Sequence, residues 1–352
     1  MNILIRTDAS SEIGTGHVMR CMTLAEQLMK GGATITFICR RLKGDLTALL
    51  IEKGFIVKTI ETDGVIAWQQ DACLTSKILL EQKQIDWLIV DHYQLDEKWE
   101  QKIRPFVSRI LVIDDLANRR HDCDIVVDQN YYLPLEERYN KLVPESCVKL
   151  LGPKYTILRQ EFYTAKKLSK ERNGKMERLL IFFGGSDPTN ETEKTLHALE
   201  RLNNPFKRVD VVVGNSNPNK HVIEKICKRR TIFFHCQIDY MAELMALADL
   251  SIGAGGTTTW ERCYLGLPTI TIETASNQRE IVNTLSSIGV ISHLGTSLQV
   301  DEKKIAREIE TLTEDEGRRK MMSRRSFEIM ESDTGAPSIA AYMLGGNKNE
   351  PN

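Results

Sequence analysis

The chain has 352 residues, with 47 basic and 48 acidic side chains and a formal net charge of −1. This length favours two domains, and the balanced charge argues against nucleic acid or an anionic membrane surface as a partner. The eight cysteines form no Cys-x-x-Cys pair, the apolar runs are too short to cross a membrane, and no signal peptide pattern begins the chain. We therefore expect a cytoplasmic protein with reduced thiols.

The first predicted strand, Asn2 to Thr7, runs into a glycine-rich turn that contains Gly14, Gly16 and His17. Small or apolar residues then recur at helical spacing. A His in the first turn of a helix lies among unpaired backbone N–H groups, whose partial positive charge favours the neutral ring. His17 is therefore a candidate general base. The alternative is a polar residue that merely begins a helix.

The rest of the first half alternates predicted strands and helices. Three of its apolar runs end in polar residues, at Asp91-His92-Tyr93, at Asp114-Asp115 and at Asp128-Gln129-Asn130. This pattern is typical of buried parallel strands whose carboxyl ends face a ligand. We expect these groups at the same sheet edge as His17. Asp91 and Tyr93 are the functional candidates, whereas Asp114 and Asp128 fit turn or helix caps better.

Residues 164–178 are charged and poor in apolar side chains, which predicts a linker. It would separate a domain over residues 1–163 from a second domain over residues 179–345. The second domain repeats the alternation of strands and helices and closes with two charged helices over Asp301–Met330 and a last apolar helix over Ile339–Leu344. Residues 346–352 are predicted to form a tail.

A second glycine-rich turn follows the predicted strand at Leu250-Ser251-Ile252. Its backbone N–H groups and hydroxyls can cradle a diphosphate at Gly255, Gly256, Thr257 and Thr258. It is neither a Walker motif nor G-x-G-x-x-G after the first strand, and the alternative is a tight turn with a helix cap.

Two more polar groups accompany this turn. Glu261 lies one helical turn further on and can reach a sugar hydroxyl, or it is simply a surface carboxylate. Beyond the next strand, Asn277 and Gln278 can bond a ligand or cap a helix. Two α/β halves, each with such a turn at a sheet edge, predict a cleft that holds a nucleotide on one side and a reacting group on the other.

The motifs fall in one order along the chain: Gly14-Thr15-Gly16-His17-x-x-Arg20, Asp91-His92-Tyr93, Gly184-Gly185-Ser186-Asp187, Gly255 to Glu261, and Asn277-Gln278. As an ordered set they resemble the UDP-2,4-diacetamido-2,4,6-trideoxy-β-L-altropyranose hydrolases of pseudaminic acid biosynthesis. That family has relatives in spore-coat polysaccharide synthesis. The resemblance covers nearly the whole chain and implies the GT-B architecture, in which two Rossmann-like domains face a cleft.

The resemblance also implies roles for single residues. His17 would be the base that activates water, and Tyr93 an active-site tyrosine. Apart from the resemblance, the chemistry leaves Asp91 or Tyr93 to orient the water or a sugar substituent. Glu261 and Asn277 would bind the UDP-sugar, the turn over Gly255–Thr258 the diphosphate, and backbone near Ile238 the uracil. The other substrate-binding candidates are Gly14, Gly16, Arg20, Gly185, Ser186 and Gln278. No metal and no other cofactor is implied.

The expected reaction is hydrolysis of a UDP-sugar at the anomeric carbon with inversion, by a monomer. His17 would supply the base and the second glycine-rich turn would stabilise the leaving diphosphate. Two alternatives stay open: an inverting glycosyltransferase in which His17 deprotonates an acceptor hydroxyl, and a non-catalytic nucleotide-sugar sensor. The chain continues past residue 300, unlike some members of the family, and this extension resembles the C-terminal helices of the related transferases.

Overall fold

The computed structural model describes residues 1–62, 66–169, 174–202, 206–330 and 335–345. It divides the chain into two compact units, one formed by Met1–Arg159 with the C-terminal segment and the other by Gln160–Ser332. Each unit is an α/β layer structure around one parallel sheet, which confirms the predicted fold class. The predicted tail over 346–352 and residues 170–173 of the predicted linker lie outside the described residues.

The N-terminal unit begins with a strand, a glycine-rich turn and a helix, as predicted. Its strands are β1 (Asn2–Thr7), β2 (Thr34–Arg40), β3 (Ile56–Ile60), β4 (Trp87–Asp91), β5 (Arg109–Ile113), β6 (Ile125–Asp128) and β7 (Val148–Leu151). Its first four helices are α1 (Gly16–Lys30), α2 (Thr47–Glu52), α3 (Trp68–Leu80) and α4 (Glu97–Ile103). The inner strands are short apolar runs that are buried, as in other parallel sheets, whereas the edge strand β3 is only partly buried.

The strand order β3-β2-β1-β4-β5-β6-β7 places a topological switch between β1 and β4. The chain leaves β1 towards β2 and later returns to β4 on the opposite side. The loops that follow β1 and β4 therefore diverge and leave a crevice at the carboxyl edge, where open α/β sheets bind ligands. The crevice lies beside the turn that carries His17.

The C-terminal unit opens with α5 (Gln160–Lys166), which the sequence divides between the first domain and the linker. Its strands are β8 (Arg178–Phe182), β9 (Arg208–Val213), β10 (Phe233–Cys236), β11 (Leu250–Ala254), β12 (Thr269–Glu273) and β13 (Ser292–Thr296). Its remaining helices are α6 (Glu191–Leu199), α7 (Lys220–Arg229), α8 (Met241–Leu247), α9 (Thr258–Tyr264), α10 (Arg279–Ser287), α11 (Glu302–Glu314) and α12 (Glu316–Met330). The order β10-β9-β8-β11-β12-β13 places the switch between β8 and β11.

The last helix, α13 (Gly335–Met343), belongs to the N-terminal unit, so the sequence assigned it to the wrong domain. It packs against α1, and Trp87 Nε1 donates a hydrogen bond to the carbonyl oxygen of Met343 at 3.2 Å. Ile339 is fully buried in the same core. Helical periodicity reveals that a helix has an apolar face, but it does not reveal which sheet covers that face.

No helix in the described ranges combines the length and the apolar character needed to cross a bilayer.

Replacing Ile339 tests the assignment of α13. Ile339→Ala should lower the free energy of unfolding by about 2–5 kcal/mol, because it removes buried apolar area and leaves a cavity. Tyr342→Ala is the control on the same helix, since Tyr342 is 41% exposed, and it should cost less than about 1 kcal/mol. Urea unfolding of both variants measures the difference. Equal losses would contradict the packing described above.

Candidate functional site

The structure brings His17 and Asp91 together at the carboxyl edge of the first sheet. His17 is the second residue of α1, and Asp91 ends β4, paired in register with Thr7 of β1. His17 Nδ1 lies 2.5 Å from Asp91 Oδ1. Gly14 makes this turn possible, because its φ of +82° is a left-handed conformation that a side chain would strain. Gly16 begins the helix, with open space around its Cα.

Arg20 completes the cluster from the next turn of α1, on the same helix face as His17. Its Nε donates to Asp91 Oδ2 at 2.5 Å and its Nη2 donates to Asp91 Oδ1 at 2.6 Å. Such a two-pronged contact is the strongest form of ion pair between arginine and a carboxylate. The third nitrogen, Nη1, donates to Asp115 Oδ2 at 3.1 Å.

Burial by itself raises the pKa of Asp91, because the carboxylate is fully shielded from water. Arg20 and His17 outweigh burial and hold the pKa of Asp91 well below its usual range. Asp91 is therefore ionised at neutral pH and can only accept hydrogen bonds. It accepts the Nδ1–H of His17, which leaves the lone pair on Nε2 to take a proton.

Asp91 lies at the expected sheet edge, but its surroundings do not fit the expected contact with water or a sugar substituent. It lies behind the imidazole and contacts His17 and Arg20, and its full burial separates it from water and from any sugar. The sequence could place Asp91 at the right edge but could not show which neighbour it meets.

Tyr93 lies against the exposed side of the cluster. Its ring meets the His17 ring edge to face, with centroids 4.5 Å apart, and its hydroxyl donates to Asp115 Oδ2 at 3.2 Å. Burial and the neighbouring Asp115 raise the pKa of Tyr93, so the hydroxyl stays protonated. Asp115 was not a candidate from sequence, although its place just after β5 was the available signal.

A second buried network lies in the same unit and was missed from sequence. Asp8 accepts hydrogen bonds from Arg6 Nη1 at 2.6 Å and from Arg40 Nε at 2.6 Å. His92 Nδ1 accepts the N–H of Gln94, so Nε2 carries the proton and donates to Asp8 at 3.0 Å. Burial lowers the pKa of His92 and keeps it neutral. The sequence feature that could have revealed this network is Arg6, a charged residue within an apolar strand.

The second glycine-rich turn follows β11 in the C-terminal unit. A Cβ at Gly255 would lie 2.1 Å from Val282 Cγ1 of α10, so only glycine fits there. Gln278 Oε1 accepts the N–H groups of Thr274 at 3.1 Å and Gly255 at 3.3 Å. Gln278 thus braces the turn in this structure, and the Gly255 N–H is already used.

Other N–H groups of this turn are available to a ligand. No described residue accepts a hydrogen bond from the N–H of Gly256, Thr257 or Thr258. Beneath them, the buried guanidinium of Arg262 donates through Nη2 to the Ala254 carbonyl at 2.6 Å. Burial lowers the pKa of Arg262 to about 10, which still leaves it charged at neutral pH. Arg262 was not predicted, because nothing local distinguishes it from a surface arginine.

The remaining predicted residues follow neighbouring strands at this sheet edge and differ in how exposed they are. Gly185 and Ser186 are exposed in the loop after β8, which pairs with β11. Asp187 of the same motif caps α6 by accepting the N–H groups of Glu191 and Thr192. The other three lie at the same sheet edge: Glu261, half-buried in α9, Asn277, exposed after β12, and Ile238, half-buried after β10.

Within the described ranges, no group of three or more His, Cys, Asp or Glu side chains is placed to hold a metal ion.

Comparison with known proteins bears on the fold. Residues 179–339 match the model of the glycosyltransferase family 28 C-terminal domain. The whole chain superposes on Acinetobacter baumannii MurG with a TM-score of 0.71 and 13% identity, covering 98% of this chain and 99% of that one. The fold is that of the GT-B glycosyltransferases. It confirms the architecture that the resemblance implied.

Three relatives are similar in sequence. An uncharacterised protein of Methanocaldococcus jannaschii, MJ1062, is 31% identical over 80% of this chain, which spans 57% of that relative's length. The UDP-2,4-diacetamido-2,4,6-trideoxy-β-L-altropyranose hydrolase of Campylobacter jejuni is 29% identical over 65% of this chain and 75% of its own. The spore coat polysaccharide biosynthesis protein SpsG of Bacillus subtilis is 27% identical over 87% of both chains. The last two confirm the predicted resemblance of this GT-B chain.

The pH dependence of stability tests the Asp91 cluster. Asp91→Asn should cost about 3–5 kcal/mol at pH 7, because it leaves the buried Arg20 without its main partner. The pKa of Asp91 is lower in the folded than in the unfolded chain, so its contribution is complete above about pH 5 and is lost as pH falls further.

Urea unfolding between pH 7 and pH 3 should therefore show a gap between wild type and Asp91→Asn that narrows below about pH 4. Glu52→Gln removes one exposed carboxylate of α2 and serves as the control. A gap of constant size down to pH 3 would argue against the ionised, paired Asp91.

The second glycine-rich turn gives a separate prediction. Gly255→Ala should destabilise the protein by about 1–3 kcal/mol, because the new methyl group overlaps Val282. Gly256→Ala is the matched change next to it, where the nearest side-chain atom is 3.9 Å away, and should cost clearly less. Thermal or urea unfolding distinguishes the two, and equal effects would show that α10 does not press on the turn.

Proposed function

We propose that this protein hydrolyses a UDP-linked 2,4-diacetamido-2,4,6-trideoxy hexose at its anomeric carbon with inversion, releasing UDP and the free sugar. The observation that carries the proposal is the contact between His17 Nδ1 and the ionised Asp91, since it leaves Nε2 as an oriented base. The named activity of the Campylobacter jejuni relative supports the substrate class. The free sugar would serve nonulosonic acid or surface polysaccharide synthesis, and the name of SpsG supports the second of these uses.

In the proposed reaction, His17 Nε2 takes a proton from water while the water oxygen attacks the anomeric carbon. The bond from that carbon to the UDP oxygen breaks, and its electron pair leaves with the diphosphate. Attack opposite to UDP inverts the anomeric centre. Asp91 holds the ring in the correct tautomer and stabilises the imidazolium that forms. Tyr93 is 38% exposed, and its hydroxyl oxygen can accept a hydrogen bond from a sugar substituent while its O–H donates to Asp115.

The leaving diphosphate gains negative charge as the bond breaks. The N–H groups of Gly256, Thr257 and Thr258 can stabilise that charge by donating hydrogen bonds without rearrangement. The charged Arg262 beneath them adds a favourable electrostatic potential. Glu261 would bind the ribose, backbone near Ile238 the uracil, and Asn277 the sugar nucleotide. These donors support a reaction that needs no metal ion.

An inverting glycosyltransferase is the second candidate. The match of the C-terminal unit to glycosyltransferase family 28 and the MurG-like fold favour it. The same base would then deprotonate an acceptor hydroxyl instead of water, and no UDP would be released without that acceptor.

UDP release from UDP-2,4-diacetamido-2,4,6-trideoxy-β-L-altropyranose, with EDTA and without acceptor, tests the proposal. Wild type should turn over, and His17→Ala should lower kcat roughly 10²–10⁴-fold, because general base catalysis is lost. His221→Ala is the matched control, since that side chain is 78% exposed on α7. UDP binding should be the same in all three proteins, because His17 lies outside the unit proposed to hold UDP.

Several results would change the conclusion. Binding of the UDP-sugar without release would favour the transferase, whereas equal turnover of wild type and His17→Ala would remove His17 as the base. Loss of activity in EDTA would contradict metal independence. NMR of the first product anomer reports inversion directly.

A further inference from the structure

We propose that a cavity beside the His17 turn binds one acetamido group of the sugar; this inference rests on the proposed function. The cavity lies wholly within the N-terminal unit, between the loops that follow β1, β2 and β4. Its lining includes Ile13, Arg40, Leu42 and Gln94.

The walls of the cavity are preformed. The backbone N–H of Ser11 donates to the Lys43 carbonyl at 3.0 Å, which ties the β1 loop to the β2 loop. The hydroxyl of Ser10 accepts the N–H groups of Glu12 and Ile13 at 3.1 and 2.9 Å. These hydrogen bonds hold the wall of the cavity in place.

Arg40 supplies a fixed donor to the cavity. Its side chain is 5% exposed, and Nε is anchored by Asp8 Oδ2 at 2.6 Å. Asp8 is in turn held by Arg6 and His92. No described residue accepts a hydrogen bond from Arg40 Nη1. A buried cation with an unused donor at a cavity wall is suited to an acceptor oxygen from a ligand.

Two aliphatic side chains of the lining are suited to contact a methyl group. Ile13 is an aliphatic side chain that is 39% exposed, and Leu42 is half-buried beside it. An acetamido group combines one carbonyl oxygen with one methyl group and so matches one fixed donor between aliphatic walls. A sugar hydroxyl would leave the aliphatic walls without a partner. A free anion would meet the carboxylate of Glu12 as well as the cations of Arg40 and Lys43 in the same lining, and it would leave the aliphatic walls without a partner.

The cavity shares its loops with the proposed catalytic residues. Ile13 immediately precedes Gly14, whose conformation sets the turn that carries His17, and Gln94 immediately follows Tyr93. A substituent held by Ile13 and Arg40 is thus positioned by the same two loops that position the base. Such anchoring of a non-reacting group orients the reacting carbon.

Filling the cavity tests the inference. Ile13→Trp places an indole in it, and Ile51→Trp is the matched control, because Ile51 is 60% exposed on α2 and does not line the cavity. The substrates are the UDP-diacetamido sugar and two analogues in which one acetamido group is replaced by a hydroxyl. Wild type and Ile51→Trp should discriminate against one analogue roughly 10-fold or more in kcat/KM.

Ile13→Trp should lose that discrimination, with KM for the diacetamido substrate raised by a similar factor. Leu42→Phe, a milder filling of the same space, should show a smaller loss in the same direction. Urea unfolding of each variant checks that the fold is retained. Unchanged discrimination in both folded variants would overturn the inference while UDP release continues and the proposed function stands.

A failure of the proposed function gives a different result. If wild type releases no UDP from any of these substrates, saturation-transfer NMR of the free diacetamido sugar measures directly whether its acetyl groups contact the protein. An acetyl methyl signal in wild type that is lost in Ile13→Trp supports the acetamido site. A signal equal in both proteins, or absent from wild type, overturns it. Inorganic phosphate that binds wild type but not Ile13→Trp would identify an anion site instead.

Discussion

The site depends on one buried charge, the carboxylate of Asp91. A fully buried carboxylate is costly unless it is paired and hydrogen-bonded. Both of its partners, His17 and Arg20, come from the first turns of α1, whereas Asp91 ends β4. Pairing the charge therefore fixes the rotation of α1 against the sheet. The same contact fixes the tautomer of His17, so a requirement of folding also prepares the base.

The network around Asp8 extends this principle towards the cavity. Arg6 and Asp8 come from β1 and the turn after it, Arg40 from the end of β2, and His92 from the residue after Asp91. Charged side chains that are buried and hydrogen-bonded to one another in this way have little freedom to move. Arg40 thus has a defined position at the cavity, and His92 ties that position to the strand that carries Asp91.

The glycine-rich turn of the C-terminal unit offers backbone N–H groups instead of charged side chains. In the proposed reaction, the leaving diphosphate needs hydrogen-bond donors that carry no net charge when the site is empty. Backbone N–H groups of a glycine-rich turn meet this need, and Gln278 keeps the turn in shape by accepting the N–H of Gly255. Val282 lies so close to Gly255 that a Cβ at this position would force the Val282 side chain or the turn to shift. Shape in this unit and charge in the other are the two constraints on the proposed chemistry.

The sequence by itself determined the parts of this protein that are local. Strand, glycine-rich turn and helix at His17 and again at Gly255 followed from periodicity, and polar residues after apolar runs predicted which sheet edge carries Asp91 and Tyr93. Which side chains and helices contact one another is decided only by the tertiary structure. Asp91 meets His17 across 74 residues and Asp8 meets His92 across 84. Arg262 carries no local signal, and α13 packs against α1. A local pattern shows which side of an element is buried, but the pairing of charges and helices depends on strand order, which no short stretch of sequence contains.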